Sequence, residues 1–216
     1  MSLVWRPMHN PRRMPLDWLK AQAGGTEAAP TWLCQPKWDG WRRQAWKDGG
    51  RWRWYPKGDA EQESREVPRG VKDELEGMFA GQDGIAIDME WVGPRCHDGL
   101  RAMGRPGWDG LVLLDLVYVN GLWLGRVPCH QRLANLRTMA ALARGRAPAP
   151  RVEVVQTAYS GFEGFFEECK RENPVLEGVV MKRADSLLLP GDLDGRGQTH
   201  FWKKVKWRND HEPAAF

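Results

Sequence analysis

The run Leu111-Val112-Leu113-Leu114-Asp115-Leu116-Val117-Tyr118-Val119 is apolar at odd and even positions alike. Side chains on a strand alternate between faces, so a run of this kind is covered on both sides and reads as a central buried strand. Gly84 to Val92 follows a different rule. There Ile85, Ile87, Met89 and Trp91 share one face, while Asp88 and Glu90 share the other. Two carboxylates on one face repel each other unless a cation lies between them, which makes a hard metal ion or a lysine the natural partner. A strand with a solvated polar face fits the same pattern.

Other segments fill in around these two. Thr31 to Tyr55 predicts strands with a tight hairpin at Lys47-Asp48-Gly49-Gly50, where Asp-Gly accepts positive φ. Val152 to Thr157 predicts a strand. Helices are expected from Pro15 to about Ala23, around Val71, Leu75, Met78 and Phe79, from Pro128 to Gly145 with Leu133, Leu136, Ala140 and Ala143 on one side, and around Phe162, Phe165, Phe166 and Cys169. Residues 1–30 open with a basic, proline-broken arm carrying Arg6, His9, Arg12 and Arg13, readable as a loosely packed terminus or as a phosphate-contacting arm. Ala147-Pro148-Ala149-Pro150 is too short a break to divide domains, and no internal repeat is evident.

A chain of 216 residues, 42% hydrophobic and 28% charged, suits one large domain, or a domain with a short appendage, and indicates neither disorder nor a membrane protein. The N-terminus lacks the apolar core of a signal peptide, so a cytoplasmic protein is expected. Cys34, Cys96, Cys129 and Cys169 form no Cys-x-x-Cys pair and read as reduced, mostly buried thiols, with Cys96-His97 more a packing feature than a ligand pair. The net charge of +4 suits a polyanionic partner. Among the 13 tryptophans several alternate with cations, as in Arg51-Trp52-Arg53-Trp54 and around Trp202-Lys203-Lys204. Such pairs can stack on bases while the charges hold phosphates. The weightier reading for any single tryptophan is a half-buried strand residue.

The chemistry concentrates at Gln35-Pro36-Lys37-Trp38-Asp39-Gly40-Trp41-Arg42. The apolar Trp32-Leu33-Cys34 predicts a strand end, and Gly40 lets the backbone turn sharply beside the lysine. A lysine needs desolvation or neighbouring positive charge to act as a nucleophile near neutral pH. As a tetrapeptide, Lys-x-Asp-Gly is equally a surface turn. In the last third, Leu176 to Arg183 is followed by a glycine-rich loop and a basic strand, Phe201 to Arg208. Trp202, Lys204, Lys206 and Arg208 share one face of it, and Phe201, Val205 and Trp207 the other. A row of cations facing one way needs an anion, although lysines also blunt solvated edge strands.

Taken in order, these segments resemble the motifs of the covalent nucleotidyltransferase superfamily, which includes ATP-dependent DNA ligases, RNA ligases and mRNA-capping guanylyltransferases. Lys37-Trp38-Asp39-Gly40-Trp41-Arg42 resembles the nucleophile motif. Tyr55-Pro56-Lys57-Gly58 resembles a degenerate Ser-Arg-x-Gly, Asp88-Met89-Glu90 the Asp-Gly-Glu strand, and Leu114-Asp115-Leu116 the Phe-Asp-x-Leu strand. Glu177-Gly178-Val179-Val180-Met181-Lys182 resembles Glu-Gly-x-x-x-Lys, and Trp202-Lys203-Lys204-Val205-Lys206 the Lys-x-Lys motif.

The resemblance implies an α+β, DNA-ligase-type nucleotidyltransferase fold, with two antiparallel β-sheets, flanking helices and the nucleotide cleft between them. It implies that Lys37 forms a lysyl-AMP from ATP, passes AMP to a 5′-phosphate and so seals a nick, with nicked duplex DNA as partner and RNA as the alternative. Glu90 and Glu177 would serve ribose and Mg²⁺. Arg42, Lys57, Lys182, Lys204 and Lys206 would neutralise phosphates, the last three also lowering the pKa of Lys37. Gln35 lies where the family contacts the base edge. Arg12, Arg13, Arg51, Arg53, Lys203 and Arg208 are candidate nucleic-acid contacts.

Some positions depart from the pattern. Leu114 replaces the aromatic that stacks the base, leaving that contact to Leu114 itself, to Val179 or Val180, and to a nearby tryptophan. Lys57 gives a point charge in place of a guanidinium fork. Glu177 and Lys182 are five apart, which sends them to opposite faces of a regular strand, so a bulge or the strand's entry is expected at Gly178. The sequence ends at Phe216, ten residues beyond Lys206, so no C-terminal oligonucleotide-binding-fold (OB) domain is expected, and the chain would do without one or borrow it from a helper protein. Rival readings are an RNA ligase, a guanylyltransferase labelled by GTP, and a binding-only module that forms no covalent nucleotide.

Overall fold

A computed structural model describes residues 8–57, 67–93, 110–144, 151–172, 176–194 and 197–207. Among these, ten strands build two sheets and four helices cover them. The strands are β1 (Asn10–Arg13), β2 (Trp32–Trp38), β3 (Trp41–Asp48), β4 (Arg51–Pro56), β5 (Ile85–Val92), β6 (Gly110–Val119), β7 (Leu122–Trp123), β8 (Val152–Val154), β9 (Leu176–Arg183) and β10 (Gln198–Lys206). The helices are α1 (Leu16–Lys20), α2 (Arg69–Met78), α3 (Cys129–Arg144) and α4 (Phe162–Glu172).

The four-stranded sheet runs β1-β10-β9-β2, and the six-stranded sheet runs β4-β3-β5-β6-β7 with β8 paired to β6. Both were expected to be antiparallel throughout. Each contains one parallel pair instead, β1 with β10 and β8 with β6. The second follows from connectivity, because α3 lies between β6 and β8 and a helical crossover returns the chain in the same direction. The first joins strands remote in sequence, so no hairpin dictates its sense.

The expected hairpin closes β3 onto β4, with Gly49 at φ 60° and Gly50 at φ 72°. As the alternation predicted, Ile85, Ile87, Met89 and Trp91 enter one core, together with Val71, Leu75 and Met78 of α2. A second core joins Cys34, Val179, Met181 and Val205 of the four-stranded sheet to Phe165, Phe166 and Cys169 of α4. The apolar run of β6 divides between them: Leu111, Leu113 and Leu116 enter the first, Val112 the second. Helix α3 does the same, giving Leu133 to the second core and Leu136, Ala140 and Ala143 to the first. No helix among the described residues is long and apolar enough to cross a membrane.

Candidate active site

Lys37 lies inside β2, one residue from its end, and the turn falls at Asp39-Gly40. Gly40 is absent from the positive-φ glycines, so its expected role as a backbone pivot is replaced by close approach. A Cβ built there would lie 2.4 Å from the Trp91 carbonyl oxygen and 2.9 Å from Glu90 Cγ. Only glycine lets this corner settle against β5 beside Glu90.

The expected bulge is present. Along β2 and β9, Lys37 pairs with Gly178, yet Trp38 pairs with Leu176, leaving Glu177 as the extra residue. Gly178 also permits β10 to close in, since a Cβ there would sit 2.1 Å from Val205 O. The bulge aims the Glu177 carboxylate at two strands at once: Oε1 accepts from Lys37 Nζ, and Oε2 lies 2.6 Å from Lys206 Nζ. These side chains are mostly buried, at 20% exposure for Lys37, 15% for Glu177 and 7% for Lys206.

Burial acts to raise the pKa of Glu177, but Lys37 and Lys206 outweigh it and hold the carboxyl below its ordinary range. Glu90 behaves oppositely. Burial pushes it up to about 7, with the charges of Asp88 and Glu177 adding and those of Lys37 and Arg42 opposing. Lys57 is lowered, first by partial burial and then by Arg42 and Lys37. Lys37, Arg42, Lys57, Glu90 and Glu177 therefore feel one another's charge, although they come from four strands and a turn.

Asp88 does not wait for a metal or for solvent. Its Oδ1 accepts from Arg42 Nε at 2.9 Å, its Oδ2 accepts from Arg42 Nη2, and Arg42 Nη1 donates to the His9 carbonyl at 2.7 Å. Burial works against the Arg42 charge, and Asp88 more than offsets it. Asp115, opposite Asp88 in the β5–β6 register, is gripped in the same way by Arg132 of α3, at 2.9 and 2.8 Å. Sequence reasoning missed Arg132. Its signal was position: it stands one turn before Leu136, in the row that continues to Ala140, so an arginine occupies a core-facing site.

Lys182 Nζ donates to the Leu114 carbonyl at 3.1 Å and lies 4.4 Å from the centroid of the Trp202 ring. Lys204 and Lys206 follow Trp202 at alternate positions of β10 and share its face. Gln35 is buried, and its Nε2 is 3.5 Å from Thr157 Oγ1. The Leu114 side chain packs against the second core, so it is the main chain of this residue that meets Lys182. Val179 must be corrected. It is fully buried in the second core, one residue along from the partner of Lys37, and so points away from the amine. Val180, opposite Gln35 and Lys204, shares the amine's face.

The described part of the basic arm is packed into the four-stranded sheet. Arg12 pairs with Asp194 at 2.9 Å, and Arg12 and Arg13 stand opposite Lys203 and Lys204. Lys203 has a lowered pKa, through burial and then Arg12. Strand β10 is thus no edge, because β1 covers it. His9 is buried, and burial followed by Arg42 and Arg132 lowers it to about 4, so it is neutral near pH 7. Arg51 and Arg53 are exposed on the edge strand β4, whereas Trp54 and Trp202 are strand residues packed more deeply than the half-buried placement expected of them. Arg208, Arg6, Gly58 and the Cys96-His97 pair lie outside the described residues.

No model of a known protein family matches the sequence, and no curated protein matches it. Solved structures do. The ligase domain of M. tuberculosis LigD superposes with a TM-score of 0.61 at 20% identity, covering 91% of this chain and 59% of that one. A Lig E DNA ligase gives 0.58 at 13% identity, covering 94% and 69%. An RNA ligase mutant of Naegleria gruberi with ATP and manganese gives 0.51 at 13%, covering 88% and 51%. The chain spans about 60% of the length of the mycobacterial ligase D structures it matches. With its two sheets meeting at this cluster of lysines and acids, the chain has the fold of the ligase-domain structures on which it superposes.

Proposed function

We propose that this chain is the adenylation domain of an ATP-dependent polynucleotide ligase acting on nicked duplex DNA. The Lys37 amine, having given up a proton, attacks the α-phosphorus of ATP. An N–P bond forms, the bond to the bridging oxygen breaks, and pyrophosphate leaves. A 5′-phosphate at the nick then takes the AMP and frees Lys37. Attack by the adjoining 3′-hydroxyl on that activated phosphate joins the strands and releases AMP. Lys57, Lys182, Lys204 and Lys206 offset the charge that builds on the phosphate oxygens, which is work of position and electrostatics.

One observation carries the reading. Glu177 holds Lys37 and Lys206 from two different strands, in a cluster of described residues where five cations, Lys37, Lys182, Lys206, Arg42 and Arg132, gather around the three carboxyls that pair with them, Asp88, Asp115 and Glu177. A polyphosphate supplies the missing negative charge. Helix α3, which contributes to both cores, supports treating residues 1–216 as one domain.

The fold also implies a divalent cation, and Glu90 fits one. Its carboxyl is pushed up by burial and by neighbouring carboxylates, a repulsion that a hard cation relieves. Among the described residues no three His, Cys, Asp or Glu side chains gather as a metal site, so Glu90 and Glu177 would hold Mg²⁺ together with oxygens of the nucleotide. When bound, the ion supplies positive charge to the phosphates. Arg51 and Arg53, with Arg12, Arg13 and Lys203, are the cations we assign to the polynucleotide backbone.

The test gives radiolabelled ATP or GTP, with Mg²⁺, to wild type and Lys37→Ala. An acid-labile, base-stable label from ATP on wild type alone supports the reading, and equal labelling of both proteins overturns it. Sealing of nicked DNA against nicked RNA then decides the polymer.

A further inference from the structure

Among the cations of the cluster, Lys182 is held in a different way. Lys37 and Lys206 lie on Glu177, Arg42 on Asp88, and Arg132 on Asp115. Lys182 is 3% exposed and, among the described residues, has no carboxylate partner. Its ammonium rests between a neutral carbonyl, Leu114 O at 3.1 Å, and the face of the Trp202 indole at 4.4 Å. Burying an ammonium without an anion is costly. An aromatic face is one of the few partners that stabilise such a charge without cancelling it.

We propose that Trp202 is a positioning residue that keeps Lys182 buried, fixed and uncompensated, so that its full charge is presented to a phosphate of the nucleotide. This rests on the ligase reading above and gives that site a part it lacked. Trp202 and Lys182 stand directly opposite each other on β10 and β9, so both project to one side of the sheet. The ring cannot turn freely. Its Nε1 donates to Ser186 Oγ at 3.2 Å, and that hydroxyl donates to Arg183 O at 2.7 Å. The His9 ring lies 5.7 Å from the indole, and Arg42 Cζ lies 5.8 Å from its centroid. Asp115, the acid whose charge reaches Lys182, has both oxygens engaged by Arg132 and is kept from capturing the ammonium. The Asp115–Arg132 fork and the indole therefore do complementary work, one occupying the available acid and the other replacing it.

The experiment measures single-turnover formation of lysyl-AMP from ATP with Mg²⁺ in wild type, Trp202→Phe, Trp202→Leu, Lys182→Met and the Trp202→Leu/Lys182→Met double variant, with thermal unfolding of each. Trp202→Leu should slow the step on the order of 30-fold, as removal of a desolvated cation–π pair implies, while Trp202→Phe, which keeps a π face, stays within about threefold. In the Lys182→Met background the leucine substitution should add almost nothing. A structural role alone would slow both backgrounds alike, and that additive result overturns the proposal, as does a Trp202→Leu protein as fast as wild type.

If Lys182→Met labels too slowly to time, the same cycle is read as equilibrium ATP affinity in a Lys37→Ala background, with the same two outcomes. Should Trp202→Leu fail to fold, Ser186→Ala, which releases the indole N–H, replaces it in the cycle, with a smaller loss expected only where Lys182 is present. A wild type that ATP does not label defeats the ligase reading. A labelled wild type with additive variants defeats only the role of Trp202.

Discussion

On the six-stranded sheet, two closed arginine–carboxylate forks stand at the junction beside Glu90, Arg42 on Asp88 and, reaching over from α3, Arg132 on Asp115. On the four-stranded sheet they are lysines, with the bulged Glu177 as the acid that joins two of them. A guanidinium fork fixes two groups in a plane, whereas an ammonium on a four-carbon stem is a point charge that can change partners. One sheet thus holds geometry while the other holds charge in reserve. The variants that follow attack the two sides separately.

The largest expected effect is on the lysine side. Lys37→Ala should abolish covalent labelling, and Lys37→Arg should do no better, because a guanidinium keeps its proton and is no nucleophile. Measurable label on either variant would move the nucleophile elsewhere.

On the fork side the effect should be on stability. Arg132→Met leaves Asp115 buried without its partner and should cost about 3–5 kcal/mol in urea unfolding. Adding Asp115→Leu should recover most of that loss. A single variant as stable as wild type would show that the fork does not hold the sheets in place.

The two glutamates should give opposite pH signatures. Glu90 is raised from an ordinary 4.5 to about 7, so between those values the folded chain keeps a proton that the unfolded chain has lost. Its contribution to stability therefore falls as pH rises through that window. Glu177 is lowered, so its contribution is present above the ordinary carboxylate pKa and is lost as pH falls through the folded value. Glu90→Gln should be more stable than wild type above pH 7, by up to about 3 kcal/mol, and equal to it near pH 4. Urea titrations at several pH values would show this, and a constant offset would refute it.

Smaller effects test the seams. Gly178→Ala places a Cβ against Val205 O and should cost about 1–3 kcal/mol, read as a drop in melting temperature. Arg51→Gln with Arg53→Gln should leave lysyl-AMP formation unchanged, weaken polynucleotide binding, and flatten its log–log salt dependence by roughly 0.9 for each phosphate that is no longer neutralised. An unchanged slope would remove β4 from the interface.

Periodicity announced much of the fold, because strand β5 and helices α2, α3 and α4 each bury a face that the sequence displays as a pattern, and the unbroken apolar run of β6 marks a strand covered on both sides. Pairing across the chain was less visible. Nothing local in Asn10–Arg13 says that it will join β10, and its direction depends on tertiary closure. At the site, parity called for an irregularity at Gly178, since a five-residue interval cannot put both ends on one face, and the register places the bulge one residue earlier, at Glu177. Gly40 was identified correctly but explained wrongly, because a close approach by Trp91 leaves no local signature. Arg132 was missed because apolar periodicity registers the residues around a buried charge and passes over the charge itself.

The pairing of β1 with β10 has a consequence for how the protein is made. The side chain of Asn10 bonds to the carbonyl of Gly197 across 187 positions of sequence. On the ribosome β1 must therefore wait, without its neighbour, until β10 has emerged, while the hairpin of β3 and β4 closes on near contacts. Lys37 meets Lys206 only at that late stage. The nascent polypeptide consequently joins Lys37, Glu177 and Lys206 only once β10 has been made.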